Sequence, residues 1–236
     1  ALRYAMVLVN LSVEQVNVEE RKNTANLVKK IFEQFQQSEN IVLRYAMALV
    51  NLSAKQINVE ERKNTSNLVK EIFEQFKDSE DIALQYAMVL YNLSNRQTDS
   101  KERKETISEI ETLTLKFQHS ENIALRYARA LVNLSAEQGN VEELGDTVNS
   151  VKQIFEQFQQ SEGVALQYAK ALVNLSAKQG NVEERKNTAN LVKQIFGQFK
   201  QSEDFALQYA MVLVNLSIEQ VNIEELGDTV NSVKQI

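Results

Sequence analysis

The chain contains no cysteine, proline or tryptophan, and only six glycines among its 236 residues. Sheet-rich and mixed folds of this length ordinarily need proline and glycine for their turns, so we expect an all-helical chain with short connections. The lack of cysteine excludes a disulfide framework and a thiolate-ligated metal. With His119 as the single histidine, the chain has neither a histidine-rich metal site nor a catalytic dyad of the usual kind.

Charge and hydropathy exclude further classes of function. The net charge of −6 offers no electrostatic footprint for nucleic acid. Asn and Ser interrupt every apolar run before it reaches the roughly 18 residues that a membrane span requires. Together these absences predict a protein that is not an enzyme, holds no cofactor or metal and does not enter a membrane. The lack of cysteine also favours a cytoplasmic location.

The strongest positive signal is an internal repeat of 41 residues, which marks a repeat architecture. A tyrosine recurs at this spacing within one shared phrase, as Tyr4, Tyr45, Tyr86, Tyr127, Tyr168 and Tyr209. The six repeats cover residues 1–40, 41–81, 82–122, 123–163, 164–204 and 205–236, so the first and the last are incomplete. We therefore expect a segment of a longer array.

Each repeat carries the signals of two helices. In repeat 2 the first helix is predicted from Ile41 to about Gln56, and the second from Val59 to about Asp78. The predicted caps of the first helices are Asn40, Asp81, Asn122, Gly163 and Asp204. Those of the second helices are Asn17, Asn58, Asp99, Asn140, Asn181 and Asn222, each followed by a glutamate three residues later, as in a capping box.

The apolar faces of the two helices predict how the repeats assemble. The second helix has one stripe, Thr24, Val28, Ile31 and Phe35, whereas the first is apolar over a wider arc and belongs in an inner layer. A single hairpin buries too little apolar surface to fold alone. The sequence therefore predicts an all-α solenoid of tandem two-helix hairpins. We expect its tyrosines in the core, with hydroxyls bonded to the Gln15 row or to an adjoining repeat.

One segment resembles a known family. The stretch AKQGNVEE at 177–184 is similar to the turn between the two helices of tetratricopeptide repeats. That resemblance implies a right-handed superhelix whose concave groove binds a peptide. The repeat here is longer than the usual 34 or so residues of that family, and it lacks the family's Trp, its Gly at the helix crossing and its Pro. The alternative is an armadillo-like array, which ALVNLS at 130–135 resembles, although armadillo repeats use three helices.

One residue fits the core explanation poorly. An asparagine occupies the same first-helix position in every repeat, as Asn10, Asn51, Asn92, Asn133, Asn174 and Asn215. Because Asn is a mediocre helix former, something other than local propensity keeps it there. One hypothesis is that this asparagine ladder lines the groove and bonds the main chain of an extended peptide. The alternatives are a structural ladder that bonds the neighbouring repeat, and residues shared through recent duplication.

Rows that vary between repeats flank the ladder. We predict that Arg44, Gln85 and Arg126 in one row, and Met88, Arg129 and Lys170 in another, share peptide binding with the asparagines. Methionine is soft and adaptable at binding surfaces, while the adjacent Arg129 and Lys170 would favour an acidic ligand. Drift on a solvated face is the alternative. Gly145 and Gly227 lie inside second helices, where we expect closer packing or local curvature.

These patterns lead to two functional hypotheses. The first is a non-enzymatic scaffold that binds a partner protein or peptide in the groove lined by the first helices. The second is a structural or self-associating array without a groove ligand. In that case the unfinished repeat surfaces would stack end to end.

Overall fold

The computed structural model describes residues 1–220 and 223–234, and the regular structure in this part of the chain is entirely α-helical. Two helices fall in each repeat, which confirms the predicted all-α solenoid of helical hairpins, while its handedness stays a prediction. The helices are α1 Leu2–Glu14, α2 Val18–Gln34, α3 Glu39–Lys55, α4 Val59–Gln75, α5 Glu80–Ser94, α6 Ser100–Lys116, α7 Glu121–Ser135, α8 Val141–Gln157, α9 Glu162–Ser176, α10 Val182–Gln198, α11 Glu203–Glu219 and α12 Ile223–Lys234.

The second helices begin where the capping pattern predicts. Asn58 Oδ1 accepts hydrogen bonds from the backbone N–H groups of Glu60 at 2.8 Å and Glu61 at 3.4 Å. Equivalent bonds form at Asn17, Asp99, Asn140 and Asn181. Asn222 lies outside the described residues. These helices end about one turn earlier than predicted, at Gln75 rather than Asp78 in repeat 2.

The first helices start earlier than predicted, because a serine takes the cap position. The N-cap of α3 is Ser38, and that of α5 is Ser79, whose Oγ accepts the N–H of Ile82 at 3.4 Å. The predicted caps Asn40, Asp81, Asn122, Gly163 and Asp204 all lie inside the first helical turn. In α3 the two extra residues are Glu39 and Asn40, which precede the buried Ile41 and Val42.

The chain divides into an N-terminal unit, residues 1–127, and a C-terminal unit, residues 128–236. In the N-terminal unit the first helices α1, α3 and α5 pack in a row, and α2 and α4 each pack on the first helices of their own and the following repeat. In the C-terminal unit α9 packs against α11, with α10 seated on both. Within the described part of each unit, neighbouring second helices make no backbone contact, so they stand as separate ridges on a layer of first helices.

Aromatic stacking ties consecutive repeats together except where Thr114 replaces the phenylalanine in repeat 3. The rings of Phe32 and Tyr45 stack at a centroid distance of 5.1 Å, and Phe73 and Tyr86 stack at 5.6 Å. The C-terminal unit repeats this pairing at Phe155–Tyr168 and Phe196–Tyr209. These tyrosines are buried, which confirms their place in the core. The predicted stripe is wrong at its end, because α2 stops at Gln34 and leaves Phe35 44% exposed.

Gly145 provides a test of helix energetics within α8. Its φ is not positive, and a Cβ built on it would meet no other atom within 4 Å. The structure therefore gives no support to close packing as its role. We expect Gly145→Ala to raise the free energy of unfolding by about 0.5–1 kcal/mol, because alanine loses less backbone entropy in a helix. Urea denaturation of the whole chain measures this change.

A matched control is Gly197→Ala in the last turn of α10, where an added Cβ also meets nothing. Because helix ends fray, the gain in the free energy of unfolding should be smaller for this variant. A loss of stability in the Gly145→Ala variant would contradict the prediction.

Candidate protein-interaction face

A buried arginine joins the ends of two consecutive first helices. In α4 the Nε of Arg62 donates to the carbonyl of Gln56, the C-cap of α3, at 2.6 Å. Its Nη1 donates to the carbonyl of Asn92 near the end of α5. Arg21 in α2 makes the same bonds one repeat earlier, to Gln15 and Asn51, each at 2.6 Å. One guanidinium therefore caps the C-terminal ends of its own and the next first helix.

The charge of this arginine is balanced without a carboxylate. Arg62 is 4% exposed, and neither Arg21 nor Arg62 forms an ion pair within the described part of the chain. The negative ends of the helix dipoles, which carry the bonded carbonyls, favour a cation at this point. Burial, followed by the nearby Arg96, lowers the pKa of Arg62 to about 10, so it remains charged at neutral pH.

The asparagine ladder points its donors at the preceding repeat. Asn51 Nδ2 donates to Ser12 Oγ at 2.7 Å, and Asn92 Nδ2 donates to Ser53 Oγ at 2.8 Å. The same bond joins Asn174 to Ser135 and Asn215 to Ser176 in the C-terminal unit. The structure therefore contains the interaction that the structural alternative requires. The amide oxygen of each of these four asparagines accepts no hydrogen bond from the described residues, and so it remains open to a ligand.

The glutamine row bonds threonine rather than tyrosine. Gln15 Oε1 accepts the hydroxyl of Thr24 at 3.0 Å, and the pairs Gln56–Thr65, Gln179–Thr188 and Gln220–Thr229 repeat this bond. The tyrosine hydroxyl takes neither predicted route at Tyr86, because its partner lies in its own repeat. This hydroxyl donates to Glu109.

Local sequence does not predict the burial of this arginine, because it lies in a strongly polar Glu-Glu-Arg-Lys run. One signal could have revealed it. The same position carries Arg21, Arg62, Arg103 and Arg185 in four repeats but Leu144 and Leu226 in the other two. A position that accepts either arginine or leucine is typical of a side chain whose long stem is buried.

The open side of the first helices carries most of the predicted binding residues. We define the first-helix strip in the N-terminal unit as Arg44, Met47, Asn51 and Lys55 on α3, Met88 and Asn92 on α5, and Arg96 in the turn after α5, all half-buried or exposed. Asn10 on α1 is exposed, and Arg126 on α7 is half-buried. Gln85 lies outside the strip, because it is 9% exposed and its amide lies 3.5 Å from the carbonyl of Asp81.

The C-terminal unit has a comparable open side. Arg129 and Asn133 on α7, and Lys170 and Asn174 on α9, are half-buried. The bond from Asn174 to Ser135 places α9 beside the second half of α7. The two cations predicted to favour an acidic ligand, Arg129 and Lys170, therefore lie on neighbouring helices.

The described residues hold no group of three or more His, Asp or Glu side chains suited to a metal ion. Among the described helices, none combines the length and apolarity needed to cross a bilayer. Comparisons of the chain with protein-family models, curated proteins and solved structures gave no significant match. The feature that the chain therefore shares with known repeat families is the tandem helical hairpin.

The asparagine ladder gives a stability prediction with an internal control. We expect Asn92→Ala to lower the free energy of unfolding by about 1 kcal/mol, because Ser53 Oγ loses its donor at the contact between repeats. Asn10 is exposed and makes no such bond, so Asn10→Ala should leave stability unchanged or slightly raised. Thermal and urea unfolding measure both variants, and equal losses would contradict a structural role for the ladder.

Arg62 gives a second prediction, because repeat 4 shows its natural replacement. Arg62→Ala removes packing and leaves carbonyl groups without a donor, so we expect a loss on the order of 3 kcal/mol. Arg62→Leu should cost distinctly less, since Leu144 occupies the equivalent position fully buried and well-packed apolar groups often replace buried charges at little cost. The comparison uses urea denaturation, and a leucine variant as unstable as the alanine variant would overturn it.

Proposed function

We propose that the chain is a non-enzymatic, tetratricopeptide-like scaffold that binds an extended segment of a partner protein along its first-helix strip. One observation carries this proposal. The asparagines satisfy their donors inside the array and leave their amide oxygens as acceptors on adjacent helices. An extended peptide presents backbone N–H groups as donors along its length, which suits a row of acceptors.

The neighbouring side chains favour an acidic segment with some apolar character. Lys55 and Arg96 are exposed beside the ladder, and complementary charge steers association and sets specificity. Met47 and Met88 are half-buried on the same two first helices as the asparagines, and thioethers adapt to varied apolar partners. Arg44 Nη1 rests 3.2 Å from Met47 Sδ, which holds the two side chains together on α3.

Peptide selection with charge-reversed variants tests this function. Peptides selected against the intact chain should be acidic, and Lys55→Glu with Arg96→Glu should weaken their binding by about tenfold or more through charge repulsion. The control is Lys101→Glu on α6, an exposed cation of the second-helix layer whose side chain is 85% exposed. Helicity and melting of all variants should match the parent. Peptides that bind the double variant as tightly as the parent would contradict the proposal.

A structural or self-associating array without a groove ligand is the second candidate. The observation that favours it is that the asparagine donors already bond the preceding repeat. Sedimentation of the same samples separates the candidates, because concentration-dependent association without any selected peptide favours the array.

A further inference from the structure

The gaps between neighbouring second helices form clefts on the side of the molecule away from the first-helix strip. Cleft 1 lies between α2 and α4 over α3, has a volume of about 270 Å³, and has Tyr45, Leu49 and Leu52 on its floor. Cleft 2 lies between α4 and α6 over α5 and is smaller, at about 170 Å³. The two clefts come from consecutive repeats of the N-terminal unit, so their equivalent positions differ by 41 in number.

Cleft 2 is occupied by a carboxylate of the chain itself. The carboxylate of Glu109, from α6, lies 3.1 Å from Lys70 Nζ on the opposite wall. It also accepts the hydroxyl of Tyr86 from the floor. A lysine on one wall and a tyrosine on the floor therefore form a carboxylate site, with charge-assisted bonds of the stronger kind.

Cleft 1 repeats this arrangement without its carboxylate. Lys29 and Tyr45 stand at the positions of Lys70 and Tyr86, but Leu68 takes the place of Glu109. The hydroxyl of Tyr45 makes no hydrogen bond with the described residues. The ammonium of Lys29, 48% exposed, meets only Glu33 of its own helix at 3.7 Å. Two donors that share one carboxylate in cleft 2 are therefore both available in cleft 1.

The acidic groups near Tyr45 leave its hydroxyl able to donate, while Glu19 and Glu61 line the cleft together with Lys22. Burial, then Glu33 and Glu71, raise the pKa of Tyr45 to about 12, so its hydroxyl stays protonated as a donor. Glu74, equivalent to Glu33, acts on Tyr86 in the same way, yet cleft 2 still holds its carboxylate. Asn64 replaces Glu105 of cleft 2, which removes a negative charge from the facing wall.

We propose that cleft 1 binds the carboxylate of a glutamate or aspartate side chain of a partner polypeptide, held between Lys29 Nζ and Tyr45 Oη. The volume exceeds that of a carboxylate, and Leu68, 39% exposed on the wall, offers apolar surface for a neighbouring side chain. An acidic residue followed by an apolar one fits both features. The site lies on the second-helix side and does not depend on the first-helix strip.

Nuclear magnetic resonance with two short peptides tests the site on the whole chain. Acetyl-Glu-Leu-amide should shift the Tyr45 ring and Lys29 side-chain signals in a saturable way. Acetyl-Gln-Leu-amide, which lacks the charge, should bind at least about tenfold more weakly. Equal binding of the two peptides would overturn the proposal. Free glutarate that binds as tightly as the glutamate peptide would overturn the assignment to a polypeptide.

Variants that add a carboxylate to cleft 1 or remove it from cleft 2 identify the binding site. Leu68→Glu supplies the carboxylate from within and should abolish the response of Tyr45, as should Lys29→Met, which changes a half-exposed side chain. Glu109→Leu should open cleft 2, so that Tyr86 and Lys70 begin to respond to the glutamate peptide. Lys55→Glu in the first-helix strip should change nothing here. A Leu68→Glu variant that melts like the parent and still binds the peptide would refute the site.

Discussion

In the repeats that carry Arg21, Arg62 or Arg185, a buried guanidinium is the interaction that joins consecutive first helices. A helix leaves its last four carbonyls without intrahelical partners, and the turn from α3 at Lys55 to α4 at Val59 is too short to supply them all. An arginine fork from the following second helix reaches the carbonyls of Gln56 and Asn92 at once. The spacing of consecutive first helices is therefore fixed by the width of one side chain.

Hydrogen bonds between neighbouring repeats explain why some positions carry the same residue in every repeat. Asn51 bonds Ser12 of the preceding repeat, and the Ser12 hydroxyl donates to the carbonyl of Val9 within its own helix. A residue that contacts the neighbouring copy meets the same surroundings in each repeat, so packing alone maintains its identity. The variable side chains, such as Met88 and Arg96, face the open side and take no part in these bonds between repeats. We propose that the asparagine oxygens offer the same acceptors in every repeat, while the variable side chains beside them decide which segment binds.

The sequence predicted local features well and tertiary ones poorly. The starts of the second helices were correct because an Asn cap and its glutamate act within one turn. The first-helix starts were wrong because Ser38 and Asn40 are equally good caps, and the burial of Ile41 and Val42 is associated with the earlier one. Arg62 was missed because its partner Asn92 lies 30 residues away, beyond any local pattern. The sequence predicted that the asparagine row lies outside the core. The bonds from these asparagines to the preceding repeat were one of three alternatives.

In the second helices too, the residues that stabilise the fold differ from those suited to binding a partner. Because α2, α4 and α10 each pack on two first helices, the outer walls of such helices can change without disturbing the bonds between first helices. A single position shows the consequence, since glutamate at 109 closes cleft 2 while leucine at 68 leaves cleft 1 open. The repeat thus keeps one fold while one wall residue decides whether a Lys–Tyr pair is satisfied internally or left for a partner. The array gains distinct surfaces by substitution at such positions, with no change in its backbone architecture.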